Sequence, residues 1–318
     1  MAHDTRANVL SKPFTDPMRT ATGEERAFVD LRALETLWFN TGTLCNIACA
    51  HCYIESSPRN DSLTYLRAEE VAEYLDEIAA LALPTREIGI TGGEPFMNPD
   101  IIRIMRDILG RGFDLLVLTN AMKPLWHKRA ALLDLQRRFG ELLRIRVSLD
   151  HFDPAHHEEE RGAGSFASAL EGLKWLSGEG FRVHVAGRLR WDEDEAQMRA
   201  GFARLFAEHD LPIDARDRRA LVLFPEMDAD RPVPEITTRC WEILGRDAEE
   251  MMCATSRMVV KSKGSSRPHV QACTLLAHEE QFTTGTTLAE ACAARVRLNH
   301  PHCARFCVLG GASCSANA

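Results

Sequence analysis

The stretch "LETLWFNTGTLCNIACAHCYIESS" (Leu34–Ser57) decides how this chain is read. Its first seven residues, "LETLWFN" (34–40), read as a β-strand, and the strand runs into a loop that places Cys45, Cys49 and Cys52 within eight residues at spacing CxxxCxxC. Structural zinc wants four closing ligands, a disulfide framework wants pairs, and a core wants its cysteines scattered. Three thiolates can instead hold three irons of a [4Fe–4S] cluster and leave the fourth without a protein ligand. An iron left open in this way can bind a small molecule.

Outward from this loop, short β-branched or leucine-rich runs alternate with amphipathic ones. Strands are predicted at "REIGITGGEP" (86–95), "DLLVLTN" (114–120), "LRIRVSLD" (143–150), "FRVHVAGRL" (181–189) and "RALVLF" (219–224). Between them "LRAEEVAEYLDEIAALA" (66–82), "NPDIIRIMRDILGRG" (98–112), "KRAALLDLQRRFG" (128–140), "SFASALEGLKWLSGEG" (165–180) and "EAQMRAGFARLFAEH" (195–209) have helical periodicity. Six strands alternating with five crossover helices predict an α/β fold, a partial (β/α)6 barrel over residues 35–224, with functional residues at the strands' C-terminal ends. Residues 1–34 read as an N-terminal extension. The proline-rich "FPEMDADRPVPE" (224–235) marks the entry to a small cysteine-rich C-terminal region, residues 225–318.

Composition narrows the setting. The 318 residues carry 38 basic against 46 acidic side chains, a net charge of −8, which provides no footprint for nucleic acid or an anionic membrane. No stretch approaches a membrane span and the N-terminus has no signal-like apolar segment, so a cytoplasmic protein is expected. In that compartment ten cysteines read as metal ligands or reactive thiols rather than disulfides.

CxxxCxxC after the first strand of a barrel, with "GGEP" (92–95) ending the second, resembles the radical S-adenosylmethionine (radical SAM) superfamily. The resemblance implies a [4Fe–4S] cluster on Cys45, Cys49 and Cys52 whose open iron chelates SAM. It also implies reductive cleavage to a 5′-deoxyadenosyl radical that takes hydrogen from a substrate, with a donor such as flavodoxin or ferredoxin supplying the electron. Gly92, Gly93, Glu94 and Pro95 match the family's glycine-rich turn, where backbone approaches the ligand and polar groups meet the SAM amino group.

By the same resemblance, "LTNA" (118–121) puts Thr119 and Asn120 in the ligand cleft, with Ala121 in place of the usual glycine. "SLDHFDP" (148–154) makes Ser148 a ribose contact and Asp150 a cleft residue, with His151 replacing glycine. Arg188 is the candidate partner for the SAM carboxylate. His51 stands where a flat ring covers the cluster or adenine, or else faces solvent; Tyr53 is expected to offer backbone atoms to the adenine. "HHEEER" (156–161) reads as a solvated segment, and Ser165 as an N-cap.

The tail resembles the SPASM and twitch extensions of radical SAM enzymes, which hold auxiliary iron–sulfur clusters. Cys253 and Cys273 bracket a predicted hairpin, and "HPHCARFCVLGGASC" adds Cys303, Cys307 and Cys314. Gly264 is farther from Cys273 than the SPASM pattern expects, and the cysteines are too few for two complete four-thiolate clusters. One auxiliary [4Fe–4S] cluster is therefore expected, on Cys253, Cys273, Cys303 and Cys307 with Cys314 as a possible replacement, and structural zinc is the alternative. Cys240 and Cys292 read as core thiols. Three functions follow: a radical SAM enzyme acting on a small metabolite with an oxidative outcome, one modifying a ribosomally made peptide, or a non-catalytic iron–sulfur or zinc protein. The short stretch before the first strand favours the metabolite, because peptide modifiers often carry an N-terminal recognition domain.

Overall fold

The computed structural model describes residues 12–226, 228 and 231–311. A two-residue strand β1 (Phe28–Val29) precedes β2 (Thr36–Asn40), and the alternation then runs α1 (Ala68–Ala80), β3 (Glu87–Thr91), α2 (Ile101–Gly110), β4 (Asp114–Thr119), α3 (Lys123–Phe139) and β5 (Leu143–Ser148). It continues with α4 (Pro154–Arg161), α5 (Ser165–Gly178), β6 (Arg182–Leu189), α6 (Glu195–Glu208) and β7 (Leu221–Pro225). Strands β2 to β7 pair in parallel and in chain order, which is the partial barrel expected from the alternation.

Two apolar layers hold it. Leu37 and Phe39 of β2, Ile88 and Ile90 of β3, and Val117 of β4 face the crossover helices, whereas Trp38 and Leu116 point into the barrel. Trp38 sits opposite Gly89 in the β2–β3 register, and a Cβ on Gly89 would lie 2.3 Å from the indole. The only residue that admits the buried ring on this neighbouring strand is therefore glycine.

After residue 231 the chain adds a short helix α7 (Cys240–Leu244), strands β8 (Ser256–Val260), β9 (His269–Gln271) and β10 (Thr283–Gly285), a helix α8 (Leu288–Ala293) and β11 (Val296–Arg297). Strand β8 pairs in parallel with β2, and β9 and β10 follow antiparallel, so the tail extends the barrel sheet at its first strand to nine strands among the described residues. Strand β11 returns to pair with β1, and the fully buried Arg26 meets Glu235 at 2.5 Å, tying the N-terminal segment to the tail. No helix among the described residues is long and apolar enough to cross a membrane.

Two local expectations change. The "HHEEER" segment is the helix α4, started by the Asp153 carboxylate accepting the Ala155 N–H at 2.8 Å and by Pro154 at the first helical position, and it buries His157 and Glu160 on one face. Ser165 does not cap α5: Gly164, at φ 76°, precedes the helix and supplies the left-handed turn instead.

Candidate active site

The three-cysteine loop is held by its neighbours rather than by its own structure. Thr41 N–H donates to the Thr91 carbonyl (2.8 Å), Thr43 N–H to Leu63 (3.0 Å) and Cys45 N–H to Ser57 (3.1 Å). The glycine turn braces it from below: Gly93 N–H donates to Gly42 O at 2.8 Å and Glu94 N–H to Leu44 O at 3.1 Å. A Cβ on Gly93 would stand 2.3 Å from Leu44 O, and Gly92 takes φ +140°. Both glycines are thus required by the close approach of the cysteine loop's own backbone. Pro95 is buried in the turn that follows.

Cys45, Cys49 and Cys52 line one cavity together with Tyr53, Gly92, Gly93, Thr119, Asn120, Ser148 and Arg161. None of the described cysteines is in a disulfide. Burial pushes the Cys45 thiol up to about 12, and Cys49 is also raised by burial. Buried thiols of this kind become thiolates only beside a cation, which is the condition that cluster irons meet. Asn120 Nδ2 approaches Cys45 Sγ at 3.8 Å and donates to Asn46 Oδ1 at 2.9 Å.

Glu94 lies under this cavity with 1% exposure. Its carboxylate accepts from Thr119 Oγ1 (2.9 and 3.0 Å), Asn120 N–H (2.9 Å) and Phe96 N–H (3.1 Å). Burial nevertheless raises its pKa to about 7, against these hydrogen bonds and the Arg161 charge.

Asp150 and Arg188 do not line the cysteine cavity. Asp150 is buried and binds Arg161 through two bonds, Nε to Oδ2 at 2.6 Å and Nη2 to Oδ1 at 3.0 Å. Arg188 bonds Glu160 at 3.0 Å and the His51 carbonyl at 2.9 Å. The cation that reaches the cavity is Arg161, which the sequence reading placed at a helix entry after a solvated segment and gave no ligand role. The signal was present in Asp153–Pro154, since a helix started there carries Arg161 back to the cysteine loop.

His51 also turns outward: its ring is 46% exposed and pairs with Glu160 at 2.9 Å, so it clamps α4 to the loop and lines the outer cleft with Trp191 and Glu193. In that cleft His151, His156 and Glu193 bring three possible ligand atoms within 4.8 Å of one another. The Asp153 N–H donates to His151 Nδ1 at 2.8 Å, which leaves the ring proton on Nε2, so neutral His151 offers no lone pair to a metal there. His151 instead fills the space between Phe152, His156 and Trp191, with ring centroids 4.2 to 4.9 Å away.

The tail forms a second cavity. The antiparallel β8–β9 hairpin brings Cys253, just before β8, to the same end as Cys273, just after β9. Cys303 and Cys307 come from a π-helical turn, Cys303–Leu309, about one turn apart. All four line one cavity whose other walls are apolar, among them Met252, Leu275, Phe282 and Val296, with His302 beside them. Cys303 is pushed well above the ordinary thiol range by burial and then by Cys273, Cys307 and Cys253, so the four thiols stand close to one another.

Cys240 and Cys292 lie outside this cavity, half-buried against the apolar clusters rather than within them, and Cys314 lies outside the described residues. The apolar cluster of Trp38, Ile54, Leu116, Met252 and Phe306 includes Cys253 and Cys303, and Cys52 and Tyr53 pack against it. One hydrophobic interior therefore separates the two cysteine sites.

The radical SAM superfamily model matches residues 39–189. Those residues are a radical SAM domain. The chain is 34% identical over 143 residues to the antilisterial bacteriocin subtilosin biosynthesis protein AlbA of Bacillus subtilis, covering 45% of this chain and 30% of AlbA. It is 29% identical over 175 residues to GTP 3′,8-cyclase of Rhizobium leguminosarum, covering 52% of this chain and 47% of that enzyme. The chain thus spans less than half the length of these curated relatives. The crystal structure of Streptococcus suis SuiB bound to precursor peptide SuiA has a similar fold, with a TM-score of 0.59 at 12% identity over 83% of this chain and 66% of that one. This likeness extends well beyond the matched domain. The family uses SAM and a [4Fe–4S] cluster, and the three thiols on one polar cavity fit that pair.

Proposed function

We propose that the chain is a radical SAM enzyme that oxidatively modifies a ribosomally made peptide. When bound, the cluster and SAM supply a 5′-deoxyadenosyl radical that removes a hydrogen atom from the substrate. Cys45, Cys49 and Cys52 hold the cluster. Glu94 accepts from the SAM amino group, Arg161, oriented by Asp150, pairs with its carboxylate, and Thr119, Asn120, Ser148 and the backbone at Tyr53 line the rest of its cavity. Pro95 shapes the turn below it, while His51 and Arg188 keep α4 against the cysteine loop. Cys253, Cys273, Cys303 and Cys307 hold one auxiliary cluster.

The observation that carries this reading is the second, four-cysteine cavity sharing one apolar interior with the first. A three-thiol site leaves an iron open, whereas a four-thiol site is closed and suited to electron transfer. The peptide is preferred because the AlbA relative serves bacteriocin biosynthesis and the fold likeness that reaches into the tail is to a protein holding a precursor peptide. The cyclase relative keeps a small molecule as the second reading. An electron donor such as flavodoxin or ferredoxin would serve the first cluster.

The test is anaerobic incubation of the reconstituted protein with SAM, a reductant and synthetic peptides encoded by short reading frames beside its gene. Formation of 5′-deoxyadenosine with loss of two hydrogens from one peptide is expected. Unchanged peptides alongside turnover of a small metabolite such as GTP would sink the peptide reading.

A further inference from the structure

Two deeply placed arginines among the described residues are answered by carboxylates. Arg26 meets Glu235, and Arg161 meets Asp150. Arg257, on β8, is 0% exposed, and its guanidinium donates only to carbonyls: Nε to Ala291 O (3.2 Å), Nη1 to Cys253 O (2.5 Å) and Ser256 O (2.8 Å), and Nη2 to Ala294 O (3.3 Å). Among the described residues no carboxylate forms an ion pair with it. Carbonyl dipoles satisfy its hydrogen bonds but leave a full positive charge in a dry interior, which is costly without an opposing charge.

The neighbours able to carry that charge are thiols. Arg257 holds the carbonyl of Cys253 directly, and its electrostatic neighbours are Cys253, Cys292 and Cys273. Two of these three line the four-cysteine cavity, whose remaining walls are apolar apart from His302. A four-thiolate iron–sulfur cluster is an anion, so the cavity and the arginine each lack what the other has.

We propose that Arg257 is the fixed counter-charge of the tail cavity, offsetting the negative charge of a four-thiolate cluster there and raising its reduction potential. The proposal rests on reading that cavity as an auxiliary-cluster site. A fixed positive charge favours the reduced state of a cluster, because reduction adds negative charge beside it. Arg257 touches no substrate and acts only through the field at the cavity, so a potential is the quantity to measure.

The experiment uses the full chain with Cys45→Ala, Cys49→Ala and Cys52→Ala, so that only the tail holds iron, and compares Arg257 with Arg257→Lys and Arg257→Met in a redox titration followed by electron paramagnetic resonance. Arg257→Lys should stay within about twofold of the parent in its reduced-to-oxidised ratio at a set potential. Arg257→Met should fall by about tenfold, or about 59 mV for a one-electron couple. A Met variant that binds no cluster while the Lys variant does also supports the counter-charge, because charge is then what loading requires. Equal potentials in parent and Met variant overturn it, as does loss of the cluster from both variants, which would assign Arg257 to shape alone. A parent that binds zinc or no metal in the tail instead brings down the auxiliary-cluster reading, and the proposal with it.

Discussion

The cysteine sites at the barrel mouth and in the tail differ in what surrounds the sulfur. At the mouth three thiols share their cavity with Thr119, Asn120, Ser148 and Arg161, above the buried Glu94 carboxyl; in the tail four thiols face Met252, Leu275, Phe282 and Val296. A polar site with too few thiolates has groups for a polar ligand, whereas an apolar site with four has no comparable set. That difference is what the proposed reading uses in giving ligand binding to the mouth and electron transfer to the tail.

The strongest way to break this contrast is to remove the mouth thiols. Replacing Cys45, Cys49 and Cys52 together by alanine should abolish SAM cleavage completely while the iron content falls to about half, the fraction expected from one four-iron cluster of two. Full iron content with continued 5′-deoxyadenosine formation would show that the mouth is not the SAM site.

Removing tail thiols should give the complementary phenotype. Cys273→Ala with Cys307→Ala should lose the second cluster and the product, while uncoupled 5′-deoxyadenosine formation persists at the intact mouth. Full product yield from this double variant would remove the tail from the reaction, and zinc in the tail of the parent would make its role structural.

A smaller effect tests how the mouth is built. Gly93→Ala drives a methyl against Leu44 O, a backbone atom of the cysteine loop, and should cost about 1–3 kcal/mol in thermal or urea unfolding. It should lower iron loading at the mouth and leave the tail's unchanged. Equal loss at both sites would mean that the brace supports the fold generally.

Much of this was readable from residue order. The predicted strand 143–150 is Leu143–Ser148 and the predicted helix 195–209 is Glu195–Glu208, because apolar periodicity reports burial directly. Cys253 and Cys273 could be paired because a hairpin brings its two ends together. Arg161 was hidden because α4 is only eight residues long, too short for its period to stand out, and its role depends on Asp150 eleven positions earlier. Arg257 was hidden for a different reason: an arginine inside a strand shows its missing carboxylate only once its neighbours are in place.

The smallest effect concerns Glu94, the acid buried against Thr119 and Asn120 of the mouth. Burial raises the Glu94 pKa from 4.5 to about 7, so the folded protein keeps a proton that the unfolded chain releases. Below about 4.5 both states are protonated and Glu94 makes no difference to stability. Between 4.5 and about 7 the folded state binds the extra proton, so stability falls as pH rises; above about 7 both are ionised and the loss is complete. The whole window amounts to roughly 3 kcal/mol at most. Glu94→Gln removes this slope, so urea melts of the SAM-free protein at successive pH values should show the variant gaining on the parent from pH 5 to 7 and then holding level. A difference that does not change with pH would mean that the Thr119, Asn120 and Phe96 donors keep Glu94 ionised throughout, and that the mouth presents a permanent carboxylate to its ligand.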